Sequence, residues 1–268
     1  PQKAPEMELV NGRWKPGAVK PTSIVLAPTR ELAIQINDEC AKFCPAVKAK
    51  CVVLYGGAAK GDQLRALRGG ADIVVATPGR INDFLDPPPG FSAPVSASAA
   101  TYVVLDEADR MLDLGFIQAI HQVSDLLPLE RQTSMFSATL EGDKVQAFAH
   151  DLLAESAVQV AVEAPRHVAK KISQAVYQAD NEQHKEHLLK ALLRLPEVKQ
   201  AIVFVNSRKQ VDIWLKVIRT LGIQCTGLHG DLRQSDRNQQ IKDMRRGRTK
   251  VLVATDVMSR GVDLPGLS

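Results

Sequence analysis

Short apolar runs punctuate the chain, each followed by a few polar, Gly or Pro residues and then by a stretch with apolar positions at helical spacing. The runs are SIVLAPT, CVVLYGG, ADIVVATPG, TYVVLDEAD and TSMFSAT in the first part, and AIVFVNS and VLVATDV in the second. Their hydrophobicity is continuous rather than alternating, which predicts strands covered on both faces, hence parallel sheets wrapped by helices. The first strand is expected over residues 23–27. Residues 1–22, with Pro1, Pro5, Pro16, Pro21 and few apolar positions, read as a loop or tail.

Two segments break the pattern. DPPPGFSAPVSASAA at 86–100, rich in Pro, Ser and Ala, reads as a surface loop insertion between strands. VEAPRHVAKKIS places a Pro and a basic cluster ahead of a new expected strand, ISQAVYQA, and a helix, NEQHKEHLLKALLRL. The expected organisation is therefore a first α/β domain over residues 23–161, a linker at 162–172 and a second α/β domain over 173–268. Domains commonly hold about 100–200 residues, which suits two in a chain of this length.

Composition agrees. With 45% hydrophobic, 24% charged and only 4% aromatic residues, Val, Ile, Leu and Ala must fill the cores. A net charge of +4 permits an anionic partner without requiring one. Cys40, Cys44, Cys51 and Cys225 lack the paired C-x-x-C spacing of a zinc site and form no secreted disulfide framework. No run of about 18 apolar residues is long enough to span a membrane, and no leader pattern opens the sequence. A soluble intracellular protein is expected, in nucleus or cytoplasm, with an organelle left open.

The chemistry lies in how the runs end. Thr29, Thr77, Asp106, Ser137, Ser207 and Thr255 all fall at or just past the carboxyl end of an expected strand. Ligands of open parallel sheets bind at that rim, where loops meet helix N-termini. A single Thr or Ser there is an ordinary helix cap, whereas a row of them makes a polar rim. In TYVVLDEAD, an aspartate at a strand end can hold magnesium directly or through water, and the next residue can orient and deprotonate the attacking water. Asp106 is the candidate metal residue and Glu107 the candidate base. APTREL and TPGR set Thr29, Arg30, Gly79 and Arg80 at helix mouths, with Asp83 one turn on, and YGG offers a close backbone approach at Gly57. A row of such sites suits a row of phosphates, a nucleic-acid strand rather than one nucleotide. The second part adds VNSR, LHGDLRQSDR and the basic run MRRGRTK, which reads as a solvated face before it reads as a phosphate contact.

APTRELA, GG, TPGR, DEAD, SAT, VFVNSR, Q-x-x-R and ATDVMSRGVD stand in the order and approximate spacing of the DEAD-box ATP-dependent RNA helicases, which the chain resembles from about residue 23 to residue 265. The resemblance implies two tandem RecA-like α/β domains, ATP and magnesium as cofactors, and RNA, single-stranded or duplex, as a partner read with little sequence preference. It implies RNA contacts at Thr29, Arg30, Gly57, Gly79 and Arg80, with Asp83 near a 2′-hydroxyl, and in the second domain at Arg208, Arg237, Thr255 and Arg260. Gly261 and Asp263 would sit beside the nucleotide ribose. Ser137 and Thr139, through Asp109, would couple hydrolysis to strand separation. The implied mechanism is local: ATP and one RNA strand together favour a closed form that a duplex does not fit, and hydrolysis resets it.

The phosphate loop G-x-x-x-x-G-K-[ST] does not occur in these 268 residues, and neither does an H-R-x-G-R-x-G-R-like segment. In the family the first lies upstream of PTREL and the second downstream of RGVD. The expectation is accordingly a fragment, with both domains truncated, inactive alone and belonging to an active enzyme when full-length. An RNA-binding scaffold with a degenerate nucleotide site is the alternative, against which the intact DEAD and SAT count.

Overall fold

A computed structural model of the chain describes residues 7–10, 13–89, 91–139, 142–161 and 173–255, with side chains from residue 17 onward except that of Gln234. The expected linker at 162–172 lies outside the described residues. The chain divides into two compact units, Pro1–Ala157 and Val158–Ser268.

The first unit opens with an antiparallel pair, β1 (Met7–Val10) and β2 (Arg13–Pro16). Alternating strands and helices follow: β3 (Ser23–Leu26), α1 (Arg30–Val47), β4 (Cys51–Leu54), α2 (Lys60–Leu67), β5 (Ile73–Ala76) and α3 (Pro78–Leu85). They continue through β6 (Tyr102–Leu105), α4 (Ala108–Asp113), α5 (Ile117–Asp125), β7 (Gln132–Met135) and α6 (Asp143–Leu152). The five strands β3 to β7 form one parallel sheet in the order β4-β5-β3-β6-β7. Their continuous apolar runs have the expected cause. Ile24, Leu26, Val52, Leu54, Val74 and Ala76 point into a large core with Ile81, Phe84, Ile120 and Phe148, while Val25, Val53 and Val75 pack with Leu32, Ala33 and Ile36 of α1 on the other face.

The register fixes the site. Leu54, Ala76, Leu26, Leu105 and Met135 are successive partners across the sheet, each the last residue of its strand. All five loops therefore leave along one straight edge, spaced about 4.8 Å apart.

The second unit contains α7 (Glu182–Leu193), β8 (Ala201–Val205), α8 (Arg208–Arg219), β9 (Cys225–Leu228), α9 (Gln234–Arg245) and β10 (Val251–Thr255). Its parallel sheet runs β8-β10-β9, so the last described strand is the central one. Val251 and Val253 of β10 face Val211, Trp214 and Ile218 of α8, and Leu252 and Ala254 face Ile241 and Met244 of α9.

The structure corrects three expectations and adds one strand. Residues 1–22 are not all loop or tail: β1 and β2 pair there, and Val19 is a core residue, 4% exposed. The 86–100 segment is not merely a surface insertion, because Val95, Ala97 and Ala100 are buried in the same core. The two segments hold one another, with the Val19 N–H donating to Pro94 O at 2.9 Å and the Ser96 N–H to Val19 O at 2.8 Å. ISQAVYQA forms no strand over its described residues, where Val176 and Tyr177 stand exposed. Finally, β9 falls on CTGL, a stretch whose Thr and Gly conceal it; Gly227 is required there because a Cβ would come within 2.7 Å of Val211 and 2.8 Å of Leu215 on α8.

Candidate active site and nucleic-acid interface

Asp106 and Glu107 follow β6 directly, and the corner they form is pinned on both sides. The Asp106 N–H donates to Leu26 O of β3 at 2.9 Å, the Phe136 N–H to Leu105 O at 2.8 Å, and the Ala108 N–H to Phe136 O at 2.9 Å. These ties force a sharp turn from strand into α4, and Glu107 takes a left-handed conformation, φ 49°, to make it. A side chain with a Cβ pays for that conformation, and strain of this kind gathers at functional corners.

The Asp106 carboxylate accepts the Glu107 N–H at 2.9 Å, yet burial pushes its pKa above the ordinary carboxylate value. A half-buried carboxylate held partly out of water gains most from a nearby cation. Among the described residues no cluster of three His, Cys, Asp or Glu side chains forms a metal cage. The strand-end carboxylate of Asp106 could serve magnesium, which keeps several waters and takes one or two carboxylates together with substrate phosphates.

Asp109, one turn further, reaches across to the loop after β7. Its Oδ2 accepts the Thr139 hydroxyl at 2.8 Å and the Thr139 N–H at 3.2 Å, and its Oδ1 accepts the Arg110 N–H at 3.0 Å. The Ser137 hydroxyl closes the same loop by donating to Thr139 O at 2.8 Å. Partial burial raises the Asp109 pKa, but the hydrogen bonds from Thr139, Ser137 and the Arg110 peptide outweigh it and the net shift is downward.

On the other side of β3, the residues expected to meet a nucleic-acid backbone occupy the ends of three neighbouring strands. Thr29 caps α1 by accepting the Leu32 N–H at 3.3 Å, so the ordinary capping role is real, and its hydroxyl proton is left to donate. Gly57 adopts φ 81°, and the Arg30 guanidinium lies directly over it, where a Cβ would come within 2.3 Å of Nη1. Arg80 on α3 is nearly buried. It donates to Ala58 O at 3.2 Å and pairs with Asp83 at 3.5 Å, while Lys60 of α2 pairs with the same carboxylate at 3.2 Å. Gly79 has open space around it. Thr29, Arg30, Gly57, Gly79, Arg80 and Asp83 thus come together on one edge, beside Asp106 and Glu107.

In the second unit Ser207 caps α8, and Arg208 pairs with Asp231, both side chains exposed. Arg237 on α9 is buried, 4% exposed. Thr255 ends the central strand β10. Arg260, Gly261 and Asp263 lie outside the described residues. Sequence reading passed over Lys60 and Gln63; a polar side chain inside a helix carries no signal that it reaches back to a loop. Among the described residues no helix is long and apolar enough to cross a membrane.

Comparison with known proteins bears on the family and the fold. The DEAD/DEAH box helicase family matches residues 8–148, and the helicase conserved C-terminal domain matches residues 184–268. The ATP-dependent RNA helicase SrmB of Escherichia coli (strain K12) is 40% identical over 248 residues, 92% of this chain and 54% of that protein. The DEAD-box ATP-dependent RNA helicase 14 of Arabidopsis thaliana is 41% identical over 246 residues, covering 91% of this chain and 38% of the relative. The chain therefore spans about half the length, or less, of such relatives. Among solved structures, S. cerevisiae Dbp5 bound to RNA and ADP BeF3 superposes with a TM-score of 0.80 at 29% identity, over 93% of this chain and 61% of that one. The parallel sheets, the strand-end acids and a family match covering more than half of the sequence converge: the chain belongs to the DEAD/DEAH box helicase family.

Proposed function

We propose that the protein containing this chain is an ATP-dependent RNA helicase that couples RNA-stimulated ATP hydrolysis to local unwinding of RNA duplexes. The observation that carries this reading is the placement of the Asp106–Glu107 corner on the strand next to β3, whose end bears Thr29 and Arg30, with every loop leaving from the same register. Hydrolytic acids and a backbone-binding rim on adjacent strands let one ligand sense the other over a short, stiff path. The unit Pro1–Ala157 serves as the first catalytic domain and the unit Val158–Ser268 as part of the second. Relatives named as ATP-dependent RNA helicases, and one solved with RNA and ADP BeF3, support the assignment.

Each residue then has a task. Glu107 orients the attacking water and takes its proton. Asp106 would hold magnesium, through water, and the ion would offset charge on the phosphates of ATP. Asp109 ties Ser137 and Thr139 to the same corner, so a change at the acids moves the β7 loop. Thr29, Arg30, Gly57, Gly79 and Arg80 bind the RNA backbone, and Asp83 accepts from a 2′-hydroxyl, which favours RNA over DNA. Arg208, Thr255 and Arg260 complete the RNA contacts, which Arg237, 4% exposed, could join only by turning out of the fold, and Gly261 and Asp263 lie beside the ribose of ATP.

The test is ATP turnover by the intact protein with and without single-stranded RNA, alongside displacement of a labelled strand from a short RNA duplex. RNA-stimulated turnover that Glu107→Gln abolishes supports the reading. Turnover indifferent to RNA, or surviving Glu107→Gln, removes it.

A further inference from the structure

We infer that Gln63 is a positioning residue for RNA binding, acting through the Gly56–Gly57 loop; this rests on the reading of that loop as an RNA contact. Gln63 lies on α2 and is buried, 6% exposed. Its carboxamide makes a two-point bond with a single backbone residue. Oε1 accepts the Tyr55 N–H at 3.1 Å, and Nε2 donates to Tyr55 O at 3.0 Å. Tyr55 is the residue after β4, immediately before the two glycines.

The need for such a bond follows from the sheet order. Among the described residues β4 is an edge strand, paired with β5. Leu54 O is taken by the Thr77 N–H at 3.0 Å, on the β5 side. In an extended chain successive residues direct their N–H and C=O to opposite sides, so those of Tyr55 face the open edge. The Gln63 amide satisfies both there, as a neighbouring strand would. Without it the last turn before two glycines would have one paired side and two torsionally free residues beyond it.

The same loop is held from two further directions. Arg30 of α1 covers Gly57, and Arg80 of α3 donates to Ala58 O at 3.2 Å. Side chains from three helices thus hold Tyr55 and Ala58 by hydrogen bonds and cover Gly57 between them. A loop ordered in advance leaves less entropy to be lost on binding. Arg30 and Arg80 both carry charge that an RNA phosphate could use, so substituting them mixes two effects. Gln63 is neutral and buried, and reaches RNA only by way of the loop.

The experiment compares the intact protein with Gln63→Met, which keeps the length and burial of the side chain, and Gln63→Glu, which keeps an acceptor for the Tyr55 N–H but faces Tyr55 O with a second acceptor. The probe is a fluorescein-labelled ten-nucleotide oligouridylate with a non-hydrolysable ATP analogue, read by anisotropy from pH 5 to pH 8. Loss of the two bonds is expected to weaken RNA binding about tenfold in Gln63→Met. The RNA concentration for half-maximal ATP turnover should rise by the same factor while kcat at saturating RNA and nucleotide affinity without RNA stay near wild type. In Gln63→Glu the deficit relative to wild type should shrink at pH 5, where a protonated carboxyl can donate to Tyr55 O again. A folded Gln63→Met that binds RNA within twofold of wild type overturns the inference, as does a Gln63→Glu deficit that is the same at both ends of the pH range. Wild-type protein that does not bind the oligonucleotide overturns the reading of the loop and this inference together.

Discussion

Asp109 and Thr139 belong to loops after different strands, yet the Asp109 carboxylate accepts both the hydroxyl of Thr139, at 2.8 Å, and its peptide N–H, at 3.2 Å. Thr139→Val removes the first bond and keeps the shape of the side chain. Because the pair is open to water, the expected stability loss is small, about 0.5 kcal/mol. Strand displacement should fall much more than RNA-stimulated ATP turnover, since the acids themselves are untouched. Equal losses in the two assays would argue against a coupling role.

The same pair sets a pH dependence. The folded-state pKa of Asp109 is depressed below its ordinary value near 3.8 by its hydrogen bonds. A depressed carboxylate contributes stability that is present above the unfolded pKa and lost as the pH falls through the folded one. The stability difference between wild type and Thr139→Val should thus be constant from pH 7 down to about 5 and shrink only below the unfolded value. Urea unfolding across that range measures it; a difference that vanishes near neutrality would mean the bond is made by a neutral acid.

Glu107 carries both the proposed chemistry and the backbone strain, and two substitutions separate them. Glu107→Gln keeps size and conformation, and should lower ATP turnover by a factor of 100 or more, on the order of what a positioned base supplies. Its melting temperature should match wild type. Glu107→Gly is equally inactive but relieves the left-handed φ of 49°, with a gain of up to about 1 kcal/mol. Thermal unfolding of the two variants side by side decides the matter, and a Glu107→Gly protein less stable than Glu107→Gln would count against strain at the corner.

Much of this site was legible because it depends on strand ends, and strand ends are marked by where continuous apolar runs stop. SIVL, IVVA and YVVL need no tertiary knowledge to be placed, and their loops follow. What was hidden depends on contacts between distant residues. Gln63 looks like any polar helix residue until α2 folds back along the edge strand. Gly227 breaks up the β9 run for the sake of α8, and Val19 looks like tail until Pro94 and Ser96 flank it. ISQAVYQA differed in the opposite way, since over its described residues, 173–179, local β-propensity does not by itself make a strand.

Gly57 and Gly79 make a matched pair, because both are expected to meet RNA but only one is sterically confined. Gly57→Ala would place a side chain at a φ of 81°, a strained conformation for a residue with a Cβ, and push the Arg30 guanidinium off its place over the loop. It should cost about 1–2 kcal/mol of stability as well as RNA affinity. Gly79→Ala meets no atom within 4 Å, so stability should stay within about 0.5 kcal/mol of wild type. Any loss of RNA binding there comes from the ligand side, where a methyl group keeps a phosphate from the α3 N-terminus. Calorimetry with oligouridylate, read beside melting temperature, distinguishes the two. Full RNA affinity in Gly79→Ala would remove Gly79 from the interface.

Asp106 supplies the last prediction, where function and stability pull apart. Burial raises its folded-state pKa, so at neutral pH the folded protein holds a charge that the unfolded chain would solvate better. That cost is absent below the unfolded pKa, grows as the pH rises from the unfolded towards the folded value, and levels off above the folded one. Asp106→Asn can still accept the Glu107 N–H while carrying no charge, and without nucleotide it should melt about 2 °C higher than wild type at pH 7. At a pH near 3.5 the two should converge. Magnesium and ATP should reverse the order, since only the carboxylate can repay its burial by drawing the ion toward the phosphates, and EDTA should restore the original order. Scanning fluorimetry of the intact protein under these conditions checks each step. A variant that melts below wild type at pH 7 without nucleotide would show that the carboxylate is already compensated by the protein, leaving no surplus charge with which to hold the metal.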